Sequence, residues 1–151
     1  QQVTLVPDAI DAITSNAGWD TIKYQNHLTD LVSHFKSLGI RTSIFLDPNP
    51  NLLESAKATG ADRIELYTEP YAENYFKNKE QAIAQFIETA KQAQNLGLDI
   101  NAGHDLDLDN LAFFHQNIPN LKEVSIGHAL VCDALYYGLH NTIQLYKKQL
   151  R

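Results

Sequence analysis

Leu52-Leu53-Glu54-Ser55-Ala56-Lys57-Ala58-Thr59-Gly60-Ala61-Asp62-Arg63-Ile64-Glu65-Leu66-Tyr67 is the stretch on which the fold turns. Leu52 to Ala58 reads as a short helix, entered through Asp47-Pro48-Asn49-Pro50, where proline suits the approach to a helix start. Gly60 then falls where a helix ends, because the C′ residue adopts a left-handed conformation that costs glycine little. Ile64 to Tyr67 is an apolar run of strand length. The same order recurs on both sides: Ser37-Leu38-Gly39-Ile40 leads into Thr42 to Leu46, and Asn95-Leu96-Gly97-Leu98 leads into Ile100-Asn101-Ala102.

The stretches before these glycines carry helical periodicity. Leu28, Leu31, Val32, Phe35 and Leu38 share one face, as do Ile83, Phe86, Ile87, Ala90 and Ala93. A last helix is expected through Leu130, Ala134, Leu135, Leu139, Ile143 and Tyr146. Strands are expected at Val3 to Val6, Thr42 to Leu46, Ile64 to Tyr67, Asp99 to Asn101 and Val124 to Ile126. Strand–helix alternation along the whole chain implies parallel strands with crossover helices, so residues 1–151 read as one α/β domain. Such units form either an open doubly wound sheet or part of an eight-stranded barrel, of which this chain would supply about five-eighths. The chain starts Gln1-Gln2-Val3 and contains no methionine, which with the barrel reading leads us to expect a fragment.

Composition narrows the partners. A formal charge of −6 argues against nucleic acid or an anionic membrane, both of which need a basic footprint. It does not argue against a small phosphate, which a few backbone N–H groups at a helix start can hold. One cysteine, Cys132, excludes an intrachain disulfide and a multi-cysteine metal cluster. With no stretch near the roughly 20 apolar residues of a membrane span, and no basic–apolar signal at the start, a cytoplasmic location is expected.

Polar groups gather after the strands. The five strands exit into Pro7-Asp8, Asp47, Thr68-Glu69, Asn101-Ala102-Gly103-His104-Asp105 and Gly127-His128. In both parallel architectures this end faces the ligand. Glu65, inside an apolar strand, is either a partly buried carboxylate paired with Arg63 or Arg41, or a site residue with a tunable pKa; the second reading is preferred. His104 has the near-neutral chemistry for proton transfer, although a loop histidine without a role has the same appearance. Gly127-His128 at a strand–helix junction suits an anion. The polar loop Ile13 to Asp20 suits a phosphate or polyol equally with an ordinary cap made by Asp20 or Thr21. His27, His34, His115 and His140 are expected on helices without special tasks. No metal is expected, because no ligand pair has metal-motif spacing and a set of His104, His128 and a carboxylate is only conceivable.

Together, Leu5-Val6-Pro7-Asp8, Thr14 to Asp20, Ser43-Ile44-Phe45-Leu46-Asp47, Ile64-Glu65-Leu66-Tyr67-Thr68, Asn101-Ala102-Gly103-His104-Asp105-Leu106 and Ile126-Gly127-His128-Ala129 resemble pyridoxine 5′-phosphate synthases. The runs occur in that family's order, across essentially this whole chain but only the later part of a family member. The resemblance implies a (β/α)8 TIM barrel with extra helices, of which this chain supplies about the last five βα units, assembled as a homo-octamer. It also implies condensation of 3-amino-2-oxopropyl phosphate with 1-deoxy-D-xylulose 5-phosphate, closing a pyridine ring with release of phosphate and water, and no metal or organic cofactor. On matching positions, His104 resembles the proton donor and Glu65 the carboxylate that stabilises charged intermediates. Thr14 resembles a ligand-binding loop residue, and Asp105, Gly127 and His128 fall where the aminoketone phosphate is contacted.

The chain departs from the family in its first loop. Val6-Pro7-Asp8-Ala9-Ile10-Asp11 and Thr14-Ser15-Asn16-Ala17-Gly18 replace a Val-Pro-Glu run with charged residues and Thr-Thr-Glu-Gly-Gly. The family's other catalytic histidine and glutamate, on its first three strands, have no counterpart here, so the chain alone is expected to be inactive. Two rivals remain: another phosphate-binding barrel enzyme, and a non-catalytic phosphate-binding module. The first predicts a strand-end lysine or a metal cluster; the second predicts loss of the titratable rim.

Overall fold

The computed structural model describes all 151 residues. Five strands, β1 (Gln2–Leu5), β2 (Arg41–Leu46), β3 (Arg63–Tyr67), β4 (Asp99–Gly103) and β5 (Leu121–Ser125), form one parallel sheet in chain order. Between and after them lie α1 (Gln25–Ser37), a 3-10 turn (Pro50–Leu52), α2 (Leu53–Ala58), α3 (Glu69–Tyr75), α4 (Lys79–Asn95), α5 (Leu111–Asn117), α6 (His128–Tyr137) and α7 (Leu139–Gln149). Unbroken strand order with every pair parallel is barrel topology, not the reversed order of a doubly wound sheet. The sheet curls until Gln2 Nε2 on the first strand lies 3.4 Å from Glu123 Oε1 on the last. The result is half of a (β/α) barrel.

Alternation along each strand separates two chemistries. Leu5, Ile44, Leu46, Ile64, Leu66, Ile100 and Ala102 point to the helices and belong to one core cluster of 23 residues. The α1 face supplies Leu28 and Val32, and α4 supplies Ile83, Phe86, Ala90 and Ala93. Tyr71, Phe86 and Phe114 are fully buried and meet with ring centroids 5.0 to 6.0 Å apart. Burying each such ring stabilises the fold by about 1.5–3 kcal/mol.

The concave face is polar instead. It carries Gln2 and Thr4, Ser43 and Phe45, Arg63, Glu65 and Tyr67, Asn101 and Gly103, and Glu123 and Ser125. Near the strand starts, Arg63 Nη1 donates to Asn101 Oδ1 and to Glu123 Oε2, each at 3.0 Å. Arg63 is thus committed below Glu65 and does not pair with it.

Several boundaries differ from the sequence reading. Gly39, Gly60 and Gly97 do end their helices, with φ of +70°, +84° and +68°. β4 runs on to Gly103, so His104 follows the strand directly, and β5 starts at Leu121 and stops at Ser125, before Ile126. The last helix is two helices, because Gly138 (φ +76°) breaks the path between Tyr137 and Leu139. Thr21 does not cap α1: it is buried and donates to Leu52 O at 2.7 Å, while Asp20 Oδ1 accepts from Lys23 N in the turn before the helix. No helix is long and apolar enough to cross a membrane.

Candidate active site

A cavity of about 540 Å³ opens at the carboxyl ends of the strands. Thr14, His104, Asp105, Gly127 and His128 all line it, together with Glu73, Asp107, Asn110 and Ser125. Five of the six residues singled out from sequence therefore meet at one mouth, from three separate loops. Glu65 lies beneath them and is not part of the lining. Ser125 stands beside both levels, because it lines the cavity and pairs across the sheet with Gly103, the residue against which Glu65 Oε1 is set.

His104 is held by its surroundings rather than left as a loose loop residue. Its Nε2 lies 3.0 Å from Thr14 Oγ1, which brings the first loop over the fourth strand. Its ring meets Tyr67 edge-on at 5.0 Å, and its side chain is only 15% exposed. Nδ1 is 3.2 Å from Asp105 Oδ2 but in a geometry that makes no hydrogen bond. The backbone is unusual: His104 has φ +94° and Asp105 φ +55°. Non-glycine residues held there cost about 1–3 kcal/mol each and persist only where neighbours enforce them.

Those neighbours are identifiable. The Thr68 hydroxyl donates to His104 O, and Thr68 N donates to Gly103 O at 3.0 Å. Beyond the histidine, Asp107 Oδ1 accepts from Asp109 N and Asn110 N, while Asn110 Oδ1 accepts from Asp107 N and Asn110 Nδ2 donates to Asp105 O. Tyr71, from the helical core, donates to Asn110 O at 2.7 Å. A buried aromatic cluster thus braces the loop that aims the imidazole.

Glu65 is 7% exposed, and burial pushes its carboxyl above the usual range, with the Glu123 carboxylate adding to that and hydroxyls of Thr4 and Ser125 opposing it. The Thr4 hydroxyl donates to Glu65 Oε2 at 2.7 Å. On its other side an ideal Cβ on Gly103 would lie 2.6 Å from Glu65 Oε1, so any larger residue at this strand position must displace the carboxylate.

The first loop is clamped to the sheet at its far end. Gly18 N donates to Asp47 Oδ1 at 3.3 Å, Trp19 N to Phe45 O at 2.9 Å, and Trp19 Nε1 to Leu5 O at 3.1 Å. Asp8 accepts from the Ser15 hydroxyl at 2.7 Å. Ile10 and Ile13 between these anchors are fully exposed.

Gly127 and His128 begin α6, whose first N–H groups have no partner within the helix. Space around Gly127 is open, with no atom within 4 Å of an ideal Cβ. A phosphate oxygen could approach there. His128 is exposed and lies outside the one close group of potential metal ligands, Glu69, His104 and Asp105, whose ligand atoms lie within 4.8 Å of one another. Glu69 in that group already accepts from the Tyr67 hydroxyl. His27, His34 and His140 stand on helices away from the mouth, as does His115.

Sequence reasoning missed Thr4, Ser125 and Tyr67 as neighbours of the site. The available signal was parity: each is an even number of residues from a concave-face partner on its own strand, but register across strands was needed to use it.

The family model described as pyridoxal phosphate biosynthesis protein PdxJ matches residues 1–151. A pyridoxine 5′-phosphate synthase of Cytophaga hutchinsonii is 64% identical over 150 residues, covering 99% of this chain and 63% of that protein. Another, from Parabacteroides distasonis, is 62% identical over 146 residues, covering 97% of this chain and 61% of that protein. The chain thus spans less than two-thirds of the length of the curated relatives it matches. Among solved structures, the Amycolatopsis orientalis BexX/CysO complex superposes with a TM-score of 0.54 at 15% identity, over 87% of this chain and 50% of that one, a likeness of fold alone. The chain belongs to the family of the pyridoxal phosphate biosynthesis protein PdxJ.

Proposed function

We propose that the whole protein is a pyridoxine 5′-phosphate synthase, a transferase-type enzyme condensing 3-amino-2-oxopropyl phosphate with 1-deoxy-D-xylulose 5-phosphate. The observation that carries this reading is the two-level site: a braced imidazole at the mouth, and a buried carboxylate below it, with Ser125 beside both. Ring closure by imine formation and dehydration needs repeated proton transfer and stabilisation of cationic intermediates. His104 acts as the proton donor, and Glu65 as the carboxylate that holds positive charge as it develops. Thr14 orients both loop and imidazole. Asp105 on the loop after β4, and Gly127 and His128 at the start of α6, receive the aminoketone phosphate, chiefly through backbone N–H groups.

On this reading the chemistry needs no metal or organic cofactor, and the protein works in the cytoplasm as a homo-octamer. Exposed Val131, Leu135, Tyr136 and Tyr137 on α6, a helix that buries none of its own residues, form an apolar surface of the kind that the remaining barrel units and neighbouring subunits would cover. Retention of His104 and His128 at the rim, with Glu65 beneath it, favours an enzyme over a non-catalytic binding module.

The test mixes the full-length protein with both substrates and follows pyridoxine 5′-phosphate by chromatography and mass spectrometry. Product is expected from the wild type, with a loss of roughly 100- to 10,000-fold in His104→Asn. No product from well-folded wild type would overturn the assignment and leave the rim as a phosphate-binding site without this chemistry.

A further inference from the structure

We propose that Thr4 is a positioning residue for Glu65, its hydroxyl fixing one carboxylate oxygen so that the other side of the group faces Gly103 and the cavity-lining Ser125. The inference rests on the reading of Glu65 given above and deepens it.

Thr4 lies on β1 and Glu65 on β3, two strands apart. The hydroxyl reaches diagonally across β2 on the concave face, where Thr4 pairs with Ser43 and Glu65 with Phe45. The contact is 2.7 Å from Thr4 Oγ1 to Glu65 Oε2, between residues 61 apart in sequence. Neither residue reaches the other through local geometry, so the bond depends on the curl of the sheet. Oε1 is set against Gly103. The carboxylate is therefore gripped at one oxygen and walled at the other.

No cation takes over this task. Around Glu65, β2 offers Ser43 and Phe45, β4 offers Asn101 and Gly103, and β5 offers Ser125 and Glu123. Glu123 is a like charge, and the one nearby cation, Arg63, is bound to Asn101 and Glu123. Tyr67, toward the mouth, donates to Glu69. The Thr4 hydroxyl, at hydrogen-bond distance, holds the ionised form against burial, and the Ser125 hydroxyl acts in the same direction. A donor to an ionised group stabilises that form, so its loss moves the titration upward by about one pH unit.

The experiment compares full-length wild type, Thr4→Val and Thr4→Ser. Valine keeps the β-branched shape and removes the donor; serine keeps the donor. The protonation midpoint of Glu65 is read without substrate, by infrared titration of the carboxyl stretch, assigned by its disappearance in Glu65→Gln. Thr4→Val is expected to raise the midpoint by about one pH unit, and Thr4→Ser to return it close to wild type. The acid limb of the kcat profile should move up with the midpoint, with KM little changed. An unmoved midpoint in Thr4→Val, or an equal shift in Thr4→Ser, would overturn the proposal. If the wild type makes no product, the functional reading falls, while the infrared midpoints still decide whether Thr4 governs the carboxylate.

Discussion

Replacing Gly103 with alanine adds one methyl group at the most crowded point of the site. That methyl would lie 2.6 Å from Glu65 Oε1, 3.2 Å from Ser125 Cβ and 3.4 Å from Ser125 O. Comfortable heavy-atom contact starts near about 3.5 Å, so the overlap with the carboxylate is about 0.9 Å. Backbone strain plays no part, because Gly103 is not among the glycines of positive φ. Something must move, and the end of the Glu65 side chain is the softest neighbour. It cannot move freely, since its other oxygen is bonded to Thr4 at 2.7 Å. Overpacking of this kind costs about 1–3 kcal/mol, and weakening a hydrogen bond to an ionised group adds to it, for a total of about 2–4 kcal/mol. In a protein of this size class that is a fall in Tm of about 5–15 °C.

A double-mutant cycle in urea identifies the obstacle. With Glu65→Ala already in place the methyl group has room, so Gly103→Ala should then cost less than about 1 kcal/mol, a coupling of about 1–3 kcal/mol. Gly127→Ala is the control, since nothing lies within 4 Å of its Cβ; it should change stability by less than about 1 kcal/mol. Additive losses for Gly103→Ala and Glu65→Ala would refute the reasoning, because the carboxylate would then not be what the methyl group strikes.

Two other perturbations probe the loop and the carboxylate. Gly18→Ala places its Cβ 2.3 Å from Asp47 N, a backbone atom that cannot swing aside, so the loop must lift and lose the Trp19 N to Phe45 O bond; destabilisation of about 3 kcal/mol or more is expected, read by urea unfolding and by faster proteolysis between Asp8 and Asp20. Because folding raises the Glu65 carboxyl above its ordinary 4.5, the native state binds more protons than the unfolded chain just above that value, and stability falls as pH rises through this window. Glu65→Gln should lose that fall, so its stability relative to wild type should increase from acid to neutral pH; parallel stability curves would contradict the burial argument.

Much of the fold was readable because its signals are local. Gly39, Gly60 and Gly97 mark helix ends through a backbone property that glycine alone has cheaply, and the one-face spacing of Ile83, Phe86, Ala90 and Ala93 is complete within α4. The break at Gly138 was hidden because Leu135, Leu139, Ile143 and Tyr146 continue a helical spacing across it; in the structure Leu135 and Leu139 are exposed and Tyr146 is buried, so the run does not share one packed face. His104 and Glu65 stood out as polar groups at strand positions. Thr4 and Ser125 did not, because nothing in Val3-Thr4-Leu5 or Val124-Ser125-Ile126 says which way a small hydroxyl points. Only the register, which pairs Thr4 with Ser43 and Gly103 with Ser125, turns them toward Glu65.

The site also shows how a helical core can serve chemistry on the opposite face of the sheet. Left-handed backbone at His104 and Asp105 would relax if the loop after β4 were free. It is restrained from the Asn110 side by Asp107 and by the Tyr71 hydroxyl, and from the β3 side by Thr68. Tyr71 packs in the core against Phe86 and Phe114. Burial also raises its phenol well above the ordinary value, so it remains a donor across the working pH range. The apolar packing that stabilises the fold therefore also holds the imidazole above the carboxylate, and the strain at His104 is sustained by contacts that lie outside the cavity altogether.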